Sequence, residues 1–379
     1  MGNTANKLYR HEFYQADLKY LATLSLPWEK LSGAGFLISG ASGMLGSLLV
    51  DALMTRNGMN GLNCNVYAVG RSRTRLEQRF SYWSSSFGKS LFFIEHDINV
   101  PFDEREDLPM EAGYVVHLAS NTHPVAYATD PVGTVLANVY GTRNMLDIAV
   151  KCKARRFAFA SSNEIYGENR GDVEKFDESY CGYIDCNTLR AGYPESKRCG
   201  EALCQAYRKQ YGLDVVIPRF TRSYGPTLLA TDTKAMSQFL RNALNGEDIV
   251  LKSEGTQFYS YTYATDAIAG FLTALLKGDD GLAYNIADEK SDVRLKDLAQ
   301  EIAGQAGVKV VFKLPDATEK AGFSKATKAR LDASKLEALG WSAKYDLKQG
   351  IERTLNLLKV QVIHELLSSP ISQNPTKTI

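Results

Sequence analysis

Excess charge is the first thing this chain lacks. Its 44 Lys and Arg stand against 43 Asp and Glu, leaving a net charge of +1 at pH 7. A balanced surface exerts no general pull on nucleic acid or on an anionic membrane, so neither is expected as a partner. Long apolar runs are missing too, since none approaches the roughly 20 residues that cross a bilayer. The opening residues, MGNTANKLYRHEFYQ, have no apolar core of the kind a secretory signal carries. Cysteine is scarce and scattered. Cys64, Cys152, Cys181, Cys186, Cys199 and Cys204 form no CxxC pair, and no cluster of histidines accompanies them, so no metal site is expected. Thiols in this arrangement read as reduced, which points to the cytoplasm.

What is present is an ordinary globular composition, 44% hydrophobic and 23% charged over 379 residues. That length suits one large domain with an added lobe, or two domains. The chain is organised around Gly35 to Leu53, GFLISGASGMLGSLLVDAL. An apolar strand-like run, Phe36–Ile38, leads into Gly40, Ser42, Gly43, Met44, Leu45 and Gly46, and then into the helical spacing of Leu48, Leu49 and Leu53. Strand, glycine turn and helix start come in the order that a dinucleotide pyrophosphate needs. The first glycine permits a tight turn, the second lets backbone approach the phosphates, and the third lets helix pack on strand. A glycine-rich turn alone is often only a turn; the strand before it and the helix after it raise the odds.

Further apolar runs recur at Val66–Val69, Leu91–Ile94, Tyr114–Leu118, Phe157–Ala160, Val215–Ile217 and Tyr284–Ile286, separated by helical stretches. This alternation predicts an α/β, Rossmann-type doubly wound parallel sheet. Residues 1–30 read as an N-terminal extension that packs on the main body. Residues 31–226 read as the dinucleotide-binding domain, with 256–287 returning to it. A smaller, mostly helical substrate lobe is expected from 227–255 and 288–365, with a flexible tail at 366–379.

Tyr193 and Lys197 stand four residues apart in YPESK, one turn along one helix face. A tyrosine is a poor base at neutral pH; a neighbouring ammonium lowers its pKa. Such a pair can take a hydroxyl proton while a hydride leaves the same carbon. YxxxK also arises by chance as a surface pair, but Ser161-Ser162 closes the fifth strand about 30 residues earlier and offers a hydroxyl to the same substrate oxygen.

Together GASGMLG (Gly40–Gly46), HLAS (His117–Ser120), NVYGTRN (Asn138–Asn144), SSNEIYG (Ser161–Gly167), YPESK, RFTRSYGP (Arg219–Pro226) and LGW (Leu339–Trp341) resemble the extended short-chain dehydrogenase/reductases, the NAD-dependent epimerase/dehydratase family acting on nucleotide sugars. The resemblance spans about Leu31 to Leu358. It implies Ser162, Tyr193 and Lys197 as the catalytic trio. It also implies Asp97 and Ile98 at the adenine, His117, Leu118, Ala119 and Ser120 along the cofactor, with Asn138 on the helix beyond, and a homodimer formed through the helix after Asn138 and the helix of Tyr193, with Val135, Val139, Leu146 and Val150 and Leu203, Ala206 and Tyr207 as the apolar faces. HLASNTHPVAYATDP and ESYCGYIDCNTLRAGYPESKR resemble the UDP-glucuronate decarboxylase branch, which brings in Thr122, Arg190 and Glu164 on the substrate side.

Four positions depart from the family pattern. Asn163 replaces the acid that dehydratases use to protonate a leaving hydroxyl, and an amide cannot donate that way. Arg222 replaces an Asn that lines the substrate site. Tyr259 stands where GxQxR carries a substrate-binding Arg, and Thr227 where an Arg often follows Gly-Pro. Arg222 is therefore expected either to hold a substrate anion or to pair internally with Asp232 or Glu254. The second strand ends in VYAVGRSR, with Gly70, Arg71 and Arg73 where a ribose-binding acid favours NAD. The branch resemblance implies NAD, and the arginines keep NADP as the alternative. The reading is a nucleotide-sugar enzyme working through a transient 4-keto sugar, decarboxylase-like or epimerase/dehydratase. A nucleotide-linked sugar or polyol reductase stays open, as does an inactive dinucleotide-sensing protein.

Overall fold

The computed structural model describes residues 4–87, 89–102, 105, 107–109, 111–122, 127, 129–229, 232–313 and 327–368. The tail expected at 366–379 lies outside the described residues beyond Ser368. Strands β1 (Gly35–Ser39), β2 (Asn65–Gly70), β3 (Leu91–Glu95), β4 (Tyr114–His117), β5 (Arg156–Phe159), β6 (Ser161–Ser162) and β7 (Val215–Phe220) follow one another along the first half of the chain. The chain then passes through β8 (Arg222–Tyr224), β9 (Ile249–Leu251), β10 (Phe258–Tyr259) and β11 (Tyr261–Tyr263) before β12 (Ala283–Ile286), and ends its strands with β13 (Val293–Arg294), β14 (Val310–Phe312) and β15 (Lys328–Ala329). The main sheet runs β3, β2, β1, β4, β5, β7, β12, with β6 beside β7. Every pairing in it is parallel. The order reverses between β1 and β4, the switch point where open α/β sheets bind their ligands.

The helices are α1 (Thr4–Arg10), α2 (Glu12–Ala22), α3 (Met44–Asn60), α4 (Arg73–Arg79), α5 (Ser81–Phe87), α6 (Pro131–Lys151), α7 (Gly192–Tyr211), α8 (Ala235–Leu244), α9 (Ala264–Lys277), α10 (Leu295–Ala306), α11 (Ser334–Glu337) and α12 (Leu347–Ser368). No helix among the described residues is long and apolar enough to cross a membrane. Helices cover both faces of the main sheet, so its strands read as continuous apolar runs rather than alternations. Phe36, Ile38, Val66, Val116 and Ala158 face α3, α9 and the N-terminal helices. Leu37, Val69, Val115, Phe157 and Val215 face Met145, Leu146 and Ile148 of α6 and Cys204 of α7.

The N-terminal helices are tied down by two buried carboxylates. Asp51, on α3, is fully buried and accepts hydrogen bonds from Tyr9, Tyr14, Arg79 and the Trp83 indole. Asp17, on α2, pairs with Arg353 of α12 at 2.6 Å and accepts from Tyr263 at 2.7 Å. A buried carboxylate is tolerated only when its lone pairs are satisfied in this way.

A separate core gathers Tyr224, Phe239, Leu240, Ile249, Tyr261, Leu298, Ile302, Leu331 and Ile351. Short strands accompany this core: β9 pairs with β14 inside the expected lobe, β10 of the returning segment lies between β13 and β15, and β8 pairs with β11 beside them. Strands of two or three residues are too short to show a period of two in sequence.

Candidate active site

Gly40 and Gly46 are dictated by contact. Gly40 has φ of +70°, and a Cβ there would stand 2.7 Å from the Ala119 amide nitrogen; at Gly46 it would stand 2.2 Å from the Gly40 carbonyl. Side chains at these positions would close the space between β1, the start of β4's exit and α3. Gly43 caps α3 in extended conformation and Met44 and Leu45 begin it; the helix's first N–H groups have no intrahelical acceptor and suit a pyrophosphate. Ser42 stands just before them, half-buried. The chain therefore fits a dinucleotide here. Thr227, just after Gly225-Pro226, donates to the Met44 carbonyl at 2.8 Å and fastens the following segment to this turn.

Beyond β3, Asp97 turns its carboxylate back to the Asn99 amide at 3.0 Å, and Ile98 packs on Gly141 while its carbonyl accepts from Asn144 at 2.8 Å. Beyond β4, the Leu118 amide donates to the Ser39 carbonyl at 3.2 Å, and Ala119 follows against Gly40. His117 is fully buried, hydrogen-bonds the Ser39 hydroxyl at 2.7 Å, and is pushed down to about 3 by burial and then by Lys197. It is a neutral strut between β1 and β4. Arg71 is exposed at the end of β2.

A relay of neutral polar groups positions the next residues. Ser120 donates to Asn138 Oδ1 at 2.7 Å, Asn138 Nδ2 donates to Ser196 at 2.9 Å, and Ser196 donates to the Tyr193 carbonyl at 2.8 Å. The hydroxyls of Ser162 and Ser120 lie on the Tyr193 side of the site and oppose the upward push on its phenol. The Ser162 hydroxyl also accepts the Glu164 amide at 3.2 Å, and Asn163 is buried at the start of that turn. One helix face does carry Tyr193 and Lys197, but the electrostatics differ from expectation. Burial, then the Glu164 charge, pushes Tyr193 up, not down. Lys197 is itself pushed down to about 7 by burial; it donates to the Ala160 carbonyl at 2.8 Å and lies 4.9 Å over the Phe159 ring. Its position against the strand end, rather than against the phenol oxygen, is why it does not depress the tyrosine.

On the substrate side, Arg190 pairs with Glu164 at 2.8 Å and lies 5.1 Å over the Tyr127 ring, which stacks on Tyr193 at 5.0 Å. Arg222 lies face-on against Tyr259, 3.5 Å from the ring centroid. The predicted internal salt bridge is not formed among the described residues: Asp232 pairs with Lys234 at 3.5 Å, and Arg222 Nη1 is buried without a hydrogen-bond partner. Thr122 accepts from Lys234 at 3.4 Å. Tyr127 and Lys234 escaped the sequence reading. The tyrosine was visible only as part of the HPVAYATDP loop, and the lysine belongs to no motif.

Residues 36–287 match the NAD dependent epimerase/dehydratase family. UDP-glucuronic acid decarboxylase 5 of Arabidopsis thaliana is 33% identical over 324 residues, 84% of this chain and 88% of that protein. UDP-glucuronic acid decarboxylase 1 of Xenopus tropicalis is 30% identical, over 87% of this chain and 73% of that protein. In fold, the chain resembles a dTDP-glucose 4,6-dehydratase from Streptomyces venezuelae solved with NAD (TM-score 0.73, 23% identity, 86% of this chain and 97% of that one). It also resembles a UDP-glucuronic acid 4-epimerase from Bacillus cereus solved with UDP-glucuronic acid and NAD (TM-score 0.71, 22% identity, 87% and 99%). The glycine turn at the switch point and the match over most of the sheet lead to one conclusion: this chain is an enzyme of the NAD-dependent epimerase/dehydratase family.

Proposed function

We propose that the chain modifies a nucleotide sugar through a transient 4-keto intermediate, with decarboxylation of a UDP-hexuronate as the net reaction. The observation that carries this reading is the burial together of Ser162, Tyr193 and Lys197, at the sheet edge that carries the glycine turn. The identity with the decarboxylases supports the choice of reaction. A nicotinamide dinucleotide held by the glycine turn and the ends of β4 would supply the hydride acceptor for the sugar C4 and the hydride that restores it. Tyr193 takes the 4-hydroxyl proton, Ser162 holds that oxygen, and Lys197 orients the cofactor ribose. The 4-ketone makes a C6 carboxylate a β-keto acid, which loses CO2 and leaves an enolate at C5. Glu164, fixed by Arg190, relays the proton to C5. Tyr127 and Arg190 wall this space from water. Asp97 and Ile98 border the adenine, Thr122 and Asn163 border the sugar, and Arg222 on its Tyr259 platform takes an anion of the substrate.

The same reading assigns residues 31–226 and 256–287 to the dinucleotide-binding body and 227–255 with 288–365 to the substrate lobe. It places the protein in the cytoplasm, in keeping with six free cysteines of which Cys181, Cys186 and Cys199 are exposed. It also makes the enzyme a homodimer through α6 and α7. Val135 and Val139 line an apolar groove of about 570 Å³ there, with Val132, Leu136 and Leu189 at its exposed rim. Leu146, expected on that face, is instead fully buried against the sheet.

Four outcomes follow from these assignments. Purified enzyme incubated with UDP-glucuronate should release CO2 and form a UDP-pentose, read by mass spectrometry, and Tyr193→Phe should slow this by about 10²–10⁴-fold; near wild-type turnover by that variant would remove the mechanism. Light scattering at micromolar concentration should show a dimer, and Leu136→Asp a monomer; a monomeric wild type refutes the assembly.

Lys197 carries a pH signature. Its folded pKa, about 7 against 10.5, means that the unfolded chain binds more protons between those values, so stability rises with pH across that window. Lys197→Met should be inactive yet more stable than wild type at pH 6, with the advantage shrinking as pH climbs from about 7 toward 10.5. A gap that ignores pH in denaturant titrations would show that the ammonium carries no such cost.

Arg222→Ala should leave the melting temperature nearly unchanged, because no internal ion pair is lost. It should raise KM by about tenfold to a hundredfold, the loss of one charge-assisted hydrogen bond of about 1.5–3 kcal/mol. An unchanged KM would place Arg222 outside the substrate site.

A further inference from the structure

The family's cofactor is NAD, but the ribose edge of this chain is built differently. Strands β1 and β2 run in register, with Ser39 beside Val69, and the contact continues one step further, where the Ala41 amide donates to the Val69 carbonyl at 3.4 Å. Gly70 and Arg71 thus follow directly beside the first residues of the glycine turn. A dinucleotide whose pyrophosphate lies on that turn brings its adenosine ribose to the end of β2, where a carboxylate meets the 2′-hydroxyl in NAD binders. Among the described residues no carboxylate stands at this strand end, where β2 runs out into Gly70 and Arg71. A Cβ at Gly70 would sit 3.3 Å from a Leu76 methyl, so an apolar side chain fills the space beside the strand where an acid would begin.

The cations next to it differ in their commitments. Arg73 is engaged, with Glu77 at 2.8 Å and the Phe93 carbonyl at 3.1 Å. The Arg71 guanidinium is exposed and has no hydrogen bond or ion pair among the described residues. Ser72 accepts the Arg75 amide at 3.3 Å, which leaves its own O–H able to donate. The carboxylate opposite Gly70 is Glu95 on β3, one strand further from the turn, about 4.8 Å outward.

We propose that this edge receives a 2′-phosphate, with Arg71 as its principal ligand, so that the chain binds NADP(H) in preference to NAD(H). A guanidinium matches a phosphate's geometry and charge, and no group among the described residues competes for this one. The proposal concerns the adenosine half of the cofactor alone, so it stands or falls independently of the sugar reaction.

Calorimetry on the full chain tests it without turnover. For wild type, 2′,5′-ADP should bind at least about tenfold more tightly than 5′-ADP, and NADP+ more tightly than NAD+, with both preferences shrinking as salt rises. Arg71→Ala should weaken 2′,5′-ADP and NADP+ by about tenfold to a hundredfold while leaving 5′-ADP and NAD+ within about twofold. Tighter binding of NAD+ than NADP+ by wild type overturns the proposal. So does an equal loss for both dinucleotides in Arg71→Ala, or a Glu95→Gln variant that loses NAD+ affinity while Arg71→Ala keeps NADP+.

Discussion

The buried ammonium of Lys197 is the constraint around which the site is arranged. An isolated charge in a low-dielectric interior costs several kcal/mol, and here one backbone carbonyl, Ala160, and the Phe159 ring are what receive it. To bring Lys197 to that carbonyl, α7 must lie close on β5. Gly200 permits this, since a Cβ there would stand 2.4 Å from the Phe159 ring. The same ammonium adds to burial in holding His117 neutral, and a neutral imidazole can bridge Ser39 without importing a second charge. The placement of Tyr193, one helical turn away, follows from the same packing.

Around this centre the polar groups form closed sets. Glu201 accepts from Ser161 and pairs with Arg219 at 2.7 Å. Arg219 in turn donates to Tyr166 at 2.9 Å, and Tyr166 donates to Asn285 at 2.6 Å. This network joins β6, β7 and β12 just below the catalytic edge. Arg219 belongs to RFTRSYGP, so one motif supplies both a structural cation at Arg219 and the free one at Arg222. The strand alternation separates them: β7 carries Arg219 inward to its carboxylate, and the short β8 carries Arg222 onto Tyr259.

The main sheet was legible because its strands are buried on both faces and read as uninterrupted apolar runs. The glycine turn was legible because close backbone approach admits no substitute for Gly40 or Gly46. What could not be read depends on contacts between distant segments. Tyr127 stacks on Tyr193 although the two are far apart in sequence, and a stacking partner leaves no periodic trace. The direction of the Tyr193 shift was misjudged because spacing gives the distance to Lys197 along a helix, not the solvent each group loses. Leu146 was misplaced for a related reason: α6 is apolar on the side that meets the sheet as well as on the side that meets the groove, and hydrophobicity alone does not assign the face.

Charge balance then explains why the substrate side is ready for an anion. Arg190 is matched by Glu164, and Lys234 by Asp232. Among the described residues Arg222 meets no carboxylate but the face of Tyr259, which stabilises a cation by about 0.5–2 kcal/mol without neutralising it. A carboxylate at 222's flank would satisfy the protein but leave nothing for a ligand. An aromatic ring instead holds the guanidinium flat, keeps its N–H edge unspent, and adds no negative charge to repel a phosphate or a uronate. Tyr259 thus suits the site by lacking charge, and the pair does together what a solvated arginine could do only with a larger loss of conformational freedom on binding.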